Sequence, residues 1–381
     1  MPLLFFRFGI GLTLLCLLTL PFAMAAPVED LSSDLLPFLE EGQLPALAVV
    51  VIGDGAIQAA GVAGVRKVGD PARARLEDTF HLGSCTKAMT ATLACLLVQE
   101  GKLRWETTLA DSFPELEEQM HPAYPDVTLQ ACLDHRAGLP AMTNGCAPLT
   151  AEDLATVAAL PSLREQRERV CQLVLSTSPE VEPGTKVHYS NGGYIVGAAV
   201  LERATGQDWE TLMRRYLFDP LGMASAGFGP MGQPGAVHAP WQHVWRDGAW
   251  LPLSPEPAHD NPVFMGPAGR VHCSVLDWSR YILFLLRACR GEDGVLRAES
   301  LAPLWRDSDY ALGWMIQERA WGGGRVFSHA GTNNQNFALV WMAPRKQFAV
   351  LVATNAMGPG IEALCDRVCA AMIQRFIQNG E

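Results

Sequence analysis

Strand-like runs stand at the two ends of this chain and helix-like runs fill its middle, an order that restricts the fold more than any other feature. Near the start, residues 44–52 are apolar and β-branched, Asp54-Gly55 supplies turn residues, and residues 56–62 can return as the second strand of a hairpin. Near the end, residues 325–329, 337–342 and 348–353 read as strands, and residues 361–377 as a closing amphipathic helix. Strands so far apart in sequence share a core when the two chain ends meet in one sheet. The expectation is an α/β fold: an antiparallel sheet built from both chain ends, flanked by helices, with an inserted mostly helical domain. The α/β part takes residues 26–83 and 264–381, and the insertion takes residues 84–263.

Residues 80–83 read as a short strand, and Ser84 then opens a helix that runs to Glu100, with Gly101 as its stop. Met89, Ala91, Leu93, Ala94, Leu96, Leu97 and Val98 make that helix apolar nearly all round, so it should be buried. Further helices are predicted over 154–175, 193–205, 209–217 and 275–288. A hairpin is predicted across 244–253, turning at Asp247-Gly248, and a proline-rich irregular loop over 254–269.

Residues 1–25 do not belong to the fold. Arg7 precedes an uncharged run over 9–20, Pro21 breaks it, and Ala23-Met24-Ala25 offers a cleavage site. This is the layout of a secretory signal peptide, which predicts a secreted or periplasmic protein; the alternative is an uncleaved membrane anchor. Arg7 is the only charged residue of that segment, so its removal takes the formal net charge from −11 to −12. An acidic chain without a basic stripe argues against nucleic acid and anionic membrane surfaces as partners. Nine of the ten cysteines follow Cys16. None has zinc spacing, and no disulfide framework is legible.

Three short motifs carry chemistry. Ser84-Cys85-Thr86-Lys87 places a hydroxyl and an amine at i and i+3 on one helix face. A serine is a poor nucleophile until a base takes its proton, and a lysine is that base only when burial depresses its pKa. A serine at a helix start also has a backbone N–H suited to an oxyanion. Tyr189-Ser190-Asn191 offers a phenol that can relay protons and an amide that can hold a substrate amide. His329-Ala330-Gly331 ends a strand ahead of Thr332-Asn333-Asn334, where an extended substrate can pair with the backbone. Singly, each motif also fits a bland reading: an N-cap, a loop before a helix, a strand-end histidine. Trp241, Trp245 and Trp250 fit a substrate wall or, more simply, hairpin packing. Gly227 to Gly232 fits a dinucleotide-loop pattern by letter only.

In this order the three motifs make the chain similar to the family of class C β-lactamases, D-alanyl-D-alanine peptidases and esterases. The resemblance extends to FHLGSCTKAMTATLACLLVQEGKL (80–103), VTLQACLDHRAGLP (127–140), PGTKVHYSNGGYIVGAAVLERATG (183–206) and PAGRVHCSVLDWSRYILFLL (267–286). It implies an acyl-enzyme on Ser84, with Lys87 and Tyr189 sharing base and acid work. It also implies Asn191 on the substrate amide, His329 and Gly331 along the substrate strand, and the N–H groups of Thr332 and Ser84 as the oxyanion hole. No metal or organic cofactor is implied; the substrate is a peptide amide, β-lactam or ester. Where many class C β-lactamases have lysine, this chain has His329, a weaker holder of carboxylates. The alternative from another class is a catalytically silent scaffold that binds cell-wall peptides or a partner protein.

Overall fold

A computed structural model describes residues 27–292 and 294–378. Residues 1–25, read above as a signal peptide, lie outside the described residues. The main sheet has eight strands in the spatial order Glu29–Asp30, Ala56–Gly64, Ala46–Gly53, Phe348–Thr354, Phe337–Ala343, Gly324–Thr332, Trp314–Arg319 and Tyr310–Ala311. Six of its seven pairings are antiparallel; only Glu29–Asp30 runs parallel to its neighbour. The seam between the chain ends is the pairing of Ala46–Gly53 with Phe348–Thr354, where Leu47 faces Thr354 and Ile52 faces Ala349. The N-terminal hairpin turns at Asp54 and Gly55, with φ of 50° and 78°. Both central residues lie in the left-handed region that a two-residue hairpin requires.

The central strands are apolar without alternation because both sheet faces are covered. Ala46, Ala48, Val50 and Ile52 point into one core with the buried helix Thr86–Gln99 and the helix Val275–Cys289. Leu47, Val49 and Val51 point into a second core with the C-terminal helix Ile361–Ile373. Each buried Leu, Val or Ile side chain contributes about 1.5–3 kcal/mol relative to exposure.

Several elements depart from expectation. The helix predicted over 154–175 is two helices, Ala151–Ala158 and Leu163–Leu175. Pro161 cannot continue the first, and Ser162 caps the second by accepting from the Glu165 N–H. The proline-rich segment 254–269 is not wholly irregular; it contains Pro257–His259, Val263–Met265 and the short helix Gly266–Gly269. The strand Trp314–Arg319 and the short edge strand Tyr310–Ala311 were not legible. Trp245 and Trp250 stack edge to face at 4.9 Å within their hairpin, and none of the three tryptophans lines the cleft described below. All nine described cysteines are free and seven are buried. No described helix is long and apolar enough to cross a membrane.

Candidate active site

The nucleophile motif begins on a tight turn. Gly83–Cys85 form a single 3-10 turn, and the buried helix Thr86–Gln99 continues from it. Gly83 has φ +48°, and a Cβ there would stand 2.2 Å from the Thr332 backbone nitrogen. Across the seam, a Cβ on Gly331 would lie 2.0 Å from the Leu82 carbonyl oxygen and 2.6 Å from the Ser84 nitrogen. The strand Gly324–Thr332 therefore rests backbone to backbone on the nucleophile turn, and only glycine fits on both sides. This contact brings the Ser84 and Thr332 amides to one seam.

Lys87 is completely buried. Its Nζ lies 3.0 Å from Ser84 Oγ, 2.7 Å from Asn191 Oδ1 and 2.7 Å from the Ala268 carbonyl oxygen. Burial holds its pKa well below the usual lysine value. A neutral amine has two N–H donors and one lone pair. The Asn191 and Ala268 oxygens take the two donors, which leaves the lone pair for the Ser84 hydroxyl. Cys85, the other nucleophile by letter, is buried, and its thiol donates to the His329 carbonyl at 3.3 Å. Burial drives that thiol's pKa upward, so it is no thiolate.

Tyr189 and Asn191 arrive on the start of the helix Asn191–Thr205, whose N-cap is Ser190. Ser190 Oγ donates to the Pro140 carbonyl at 2.6 Å, and Asn191 Nδ2 donates to the Met142 carbonyl at 2.9 Å. These bonds fix the Asn191 amide so that its oxygen faces Lys87. Burial pushes the Tyr189 phenol pKa up, and the neighbouring Ser84 pulls it back only in part. The phenol therefore stays protonated. Its ring lies 4.7 Å from Lys87 Nζ and stacks at 4.3 Å on His135.

His329 is placed differently from the other motif residues. It is only 4% exposed, its Nε2 lies 3.2 Å from the Tyr310 hydroxyl, and its side chain does not line the cleft. Burial and the nearby Lys87 push its pKa down to about 3, so the ring is neutral. Alternation along the strand turns Ala330 and Thr332 outward and His329 inward. The structure thus brings Ser84, Lys87, Tyr189, Asn191, Gly331 and Thr332 together around one cleft and sets His329 behind Tyr189.

Sequence reasoning missed three supporting groups. His135 accepts the Ser190 N–H at Nδ1, 3.1 Å, and buttresses Tyr189. Tyr310 holds His329, and the Ala268 carbonyl holds Lys87. His135 and Ala268 lie inside stretches already notable for their resemblance, whereas nothing marked Tyr310. The cleft has a volume of about 500 Å³. Among the described residues, no group of three His, Cys, Asp or Glu side chains could hold a metal ion.

Comparison with known proteins shows the family and the fold. The family model described as Beta-lactamase matches residues 31–368. Unguisins hydrolase of Aspergillus violaceofuscus is 23% identical over 360 residues, 86% of this chain and 61% of that protein. Penicillin-binding protein 4 of Amycolatopsis lactamdurans is 26% identical over 333 residues, covering 83% of this chain and 82% of that one. Among solved structures, the octameric penicillin-binding protein homologue from Pyrococcus abyssi has a TM-score of 0.70 at 20% identity, covering 90% of this chain and 76% of that chain. A D-stereospecific amidohydrolase from Streptomyces sp. has a TM-score of 0.62 at 19% identity, covering 82% and 90%. The chain belongs to the Beta-lactamase family and is a serine hydrolase.

Proposed function

We propose that this family member hydrolyses amide or ester bonds of small peptides through an acyl-enzyme on Ser84, and that it prefers substrates without a free carboxylate beside the scissile bond. The observation that carries the mechanism is the arrangement at Lys87: a buried amine, two N–H acceptors, and a third contact to Ser84 Oγ at 3.0 Å. The Ser84 oxygen attacks the substrate carbonyl carbon while its proton passes to Lys87 Nζ. The oxyanion that forms accepts from the Ser84 and Thr332 amides. As the tetrahedral species collapses, the protonated Tyr189 gives its proton to the leaving nitrogen or oxygen and is replenished from Lys87. Water then attacks the ester on Ser84 by the reverse proton path and frees the acid.

The substrate preference is supported by the charges around the cleft. No lysine or arginine of the described residues lines it, while the exposed Glu362 does. His329 is neutral and turned away. A β-lactam carboxylate, or the free end of a D-Ala-D-Ala peptide, would meet no fixed cation there. The amidohydrolase and penicillin-binding protein among the similar proteins favour a peptide amide as the natural bond. Export completes the proposal: the leader-like pattern of residues 1–25 supports a secreted or periplasmic enzyme with a small-molecule or peptide partner.

A fluorescent phosphonate should label the wild type and not Ser84→Ala; equal labelling of both overturns the acyl-enzyme. With matched substrates, an acetylated D-Ala-D-alaninamide and a p-nitrophenyl ester should exceed the free D-Ala-D-Ala acid and a chromogenic cephalosporin in kcat/KM by about tenfold or more, the discrimination of one well-placed charge. Equal or greater turnover of the carboxylates would overturn the preference.

A further inference from the structure

We propose that Asp260 is a positioning residue that ties together the two backbone segments bearing the oxyanion donors. The inference rests on the acyl-enzyme reading above. Asp260 belongs to none of the sequence motifs, and its side chain is wholly buried. It reaches both sides of the seam between the nucleophile turn and the strand end.

On one side stands His81, also wholly buried. The Gly83 N–H donates to His81 Nδ1 at 3.1 Å. That bond assigns the ring proton to Nε2, which lies 3.2 Å from Asp260 Oδ1. The carboxylate thereby orients an imidazole that accepts from the residue immediately before the nucleophile. Gly83 sits at φ +48°, so its amide direction fixes how Ser84 enters the turn.

On the other side stands Asn333, the residue after Thr332. Its Nδ2 donates to Asp260 Oδ1 at 2.9 Å. Its Oδ1 accepts from the Asn336 backbone N–H at 3.0 Å and the Gln335 N–H at 3.2 Å, which closes the turn beyond the strand. One carboxylate oxygen thus holds Gly83 through His81 and Thr332 through Asn333. Arg270 Nε donates to the other oxygen at 3.2 Å, and the Asn261 N–H to the first at 2.8 Å. Burial works against the ionised carboxyl, but the adjacent His81 ring, the Arg270 guanidinium and Asn333 outweigh it and hold its pKa below the usual range. A fixed anion among buried polar groups is costly to move. Preorganised donors need that rigidity, because an oxyanion hole works through alignment before the charge develops.

The test is made on the full chain with the neutral amide or ester substrate. Turnover is counted per phosphonate-reactive site, so that only folded enzyme enters. Asp260→Asn should lower kcat about 10²- to 10³-fold, the cost of a misaligned oxyanion donor, with KM changed less than threefold. His81→Asn keeps an acceptor near Gly83 without altering a buried charge and should lose less; His81→Phe, which removes the acceptor, should match Asp260→Asn. The double variant Asp260→Asn/His81→Phe should be no slower than the worse single one, because the two residues act in one chain. Unchanged kcat per site in Asp260→Asn and His81→Phe, or an effect on KM alone, overturns the positioning role. Ser84→Ala is run beside them: turnover there would refute the acyl-enzyme instead, whatever Asp260 shows.

Discussion

A lysine with no exposed surface and no carboxylate beside it has little to stabilise its charged form. Lys87 is held by two neutral oxygens and a hydroxyl, and burial is what lowers its pKa. Only the neutral amine can accept a proton from Ser84, so kcat/KM should rise as pH climbs through the depressed Lys87 pKa and fall below it, where the amine is protonated. Lys87→Ala should lose about 10²- to 10⁴-fold in kcat/KM, the range of a general base. Its circular dichroism should match the wild type, and the acidic limb of the pH–rate profile should disappear with the residue. Normal turnover in that variant would refute the base assignment. The pairing of Ser84 with Lys87 was legible because i, i+3 spacing on a helix fixes a shared face whatever the tertiary context. The orientation of His329 was not. It depends on which way the strand Gly324–Thr332 presents alternate residues, and on Tyr310, 19 positions earlier, reaching its ring.

At the level of elements, the site is a junction of a turn, a strand and a helix start, and glycine sets how near they come. Gly331 is the clearest case. A methyl group there would meet only backbone, at 2.0 Å from the Leu82 oxygen and 2.6 Å from the Ser84 nitrogen, so strand and turn would have to part. Gly331→Ala should therefore misalign the Thr332 amide and lower kcat by about 10²-fold or more. The rate of phosphonate labelling at Ser84 measures the same loss, and labelling within twofold of wild type would show that the seam tolerates the gap. The H-x-G motif pointed to close approach on the right residue, but its partner, the turn at Gly83, lies some 250 residues away and came from the structure. The segment 254–269 shows the converse. Its prolines made it read as a loop, yet it carries Asp260 and the Ala268 carbonyl into the site. Proline content reports missing backbone donors, and says nothing of what the carbonyls and side chains do.

For the molecule as a whole, the two chain ends and the helical middle are held together by a sheet that is apolar on both faces. The unbroken runs at 46–52 and 348–353 fit strands covered on both faces, while the pairing of one end with the other was an inference from element order. With all nine described cysteines free, core packing carries this assembly without a crosslink among them. Leu47 and Leu351 sit on adjacent paired strands, both with no exposed surface, and belong to opposite cores: Leu47 with the C-terminal helix, Leu351 with the helix Val275–Cys289. In a sheet with one wet face, one of two such residues would tolerate truncation. Here Leu47→Ala and Leu351→Ala should each cost about 2–5 kcal/mol, as lost burial plus the cavity left behind. Met315, on the strand Trp314–Arg319 and 47% exposed, should cost no more than about 0.5 kcal/mol when changed to alanine. Urea unfolding midpoints compare the three. A small loss at either leucine would mean that one face of the sheet is loosely covered, and that the helix packed there is not what fixes the strands on which Gly331 and Thr332 meet Ser84.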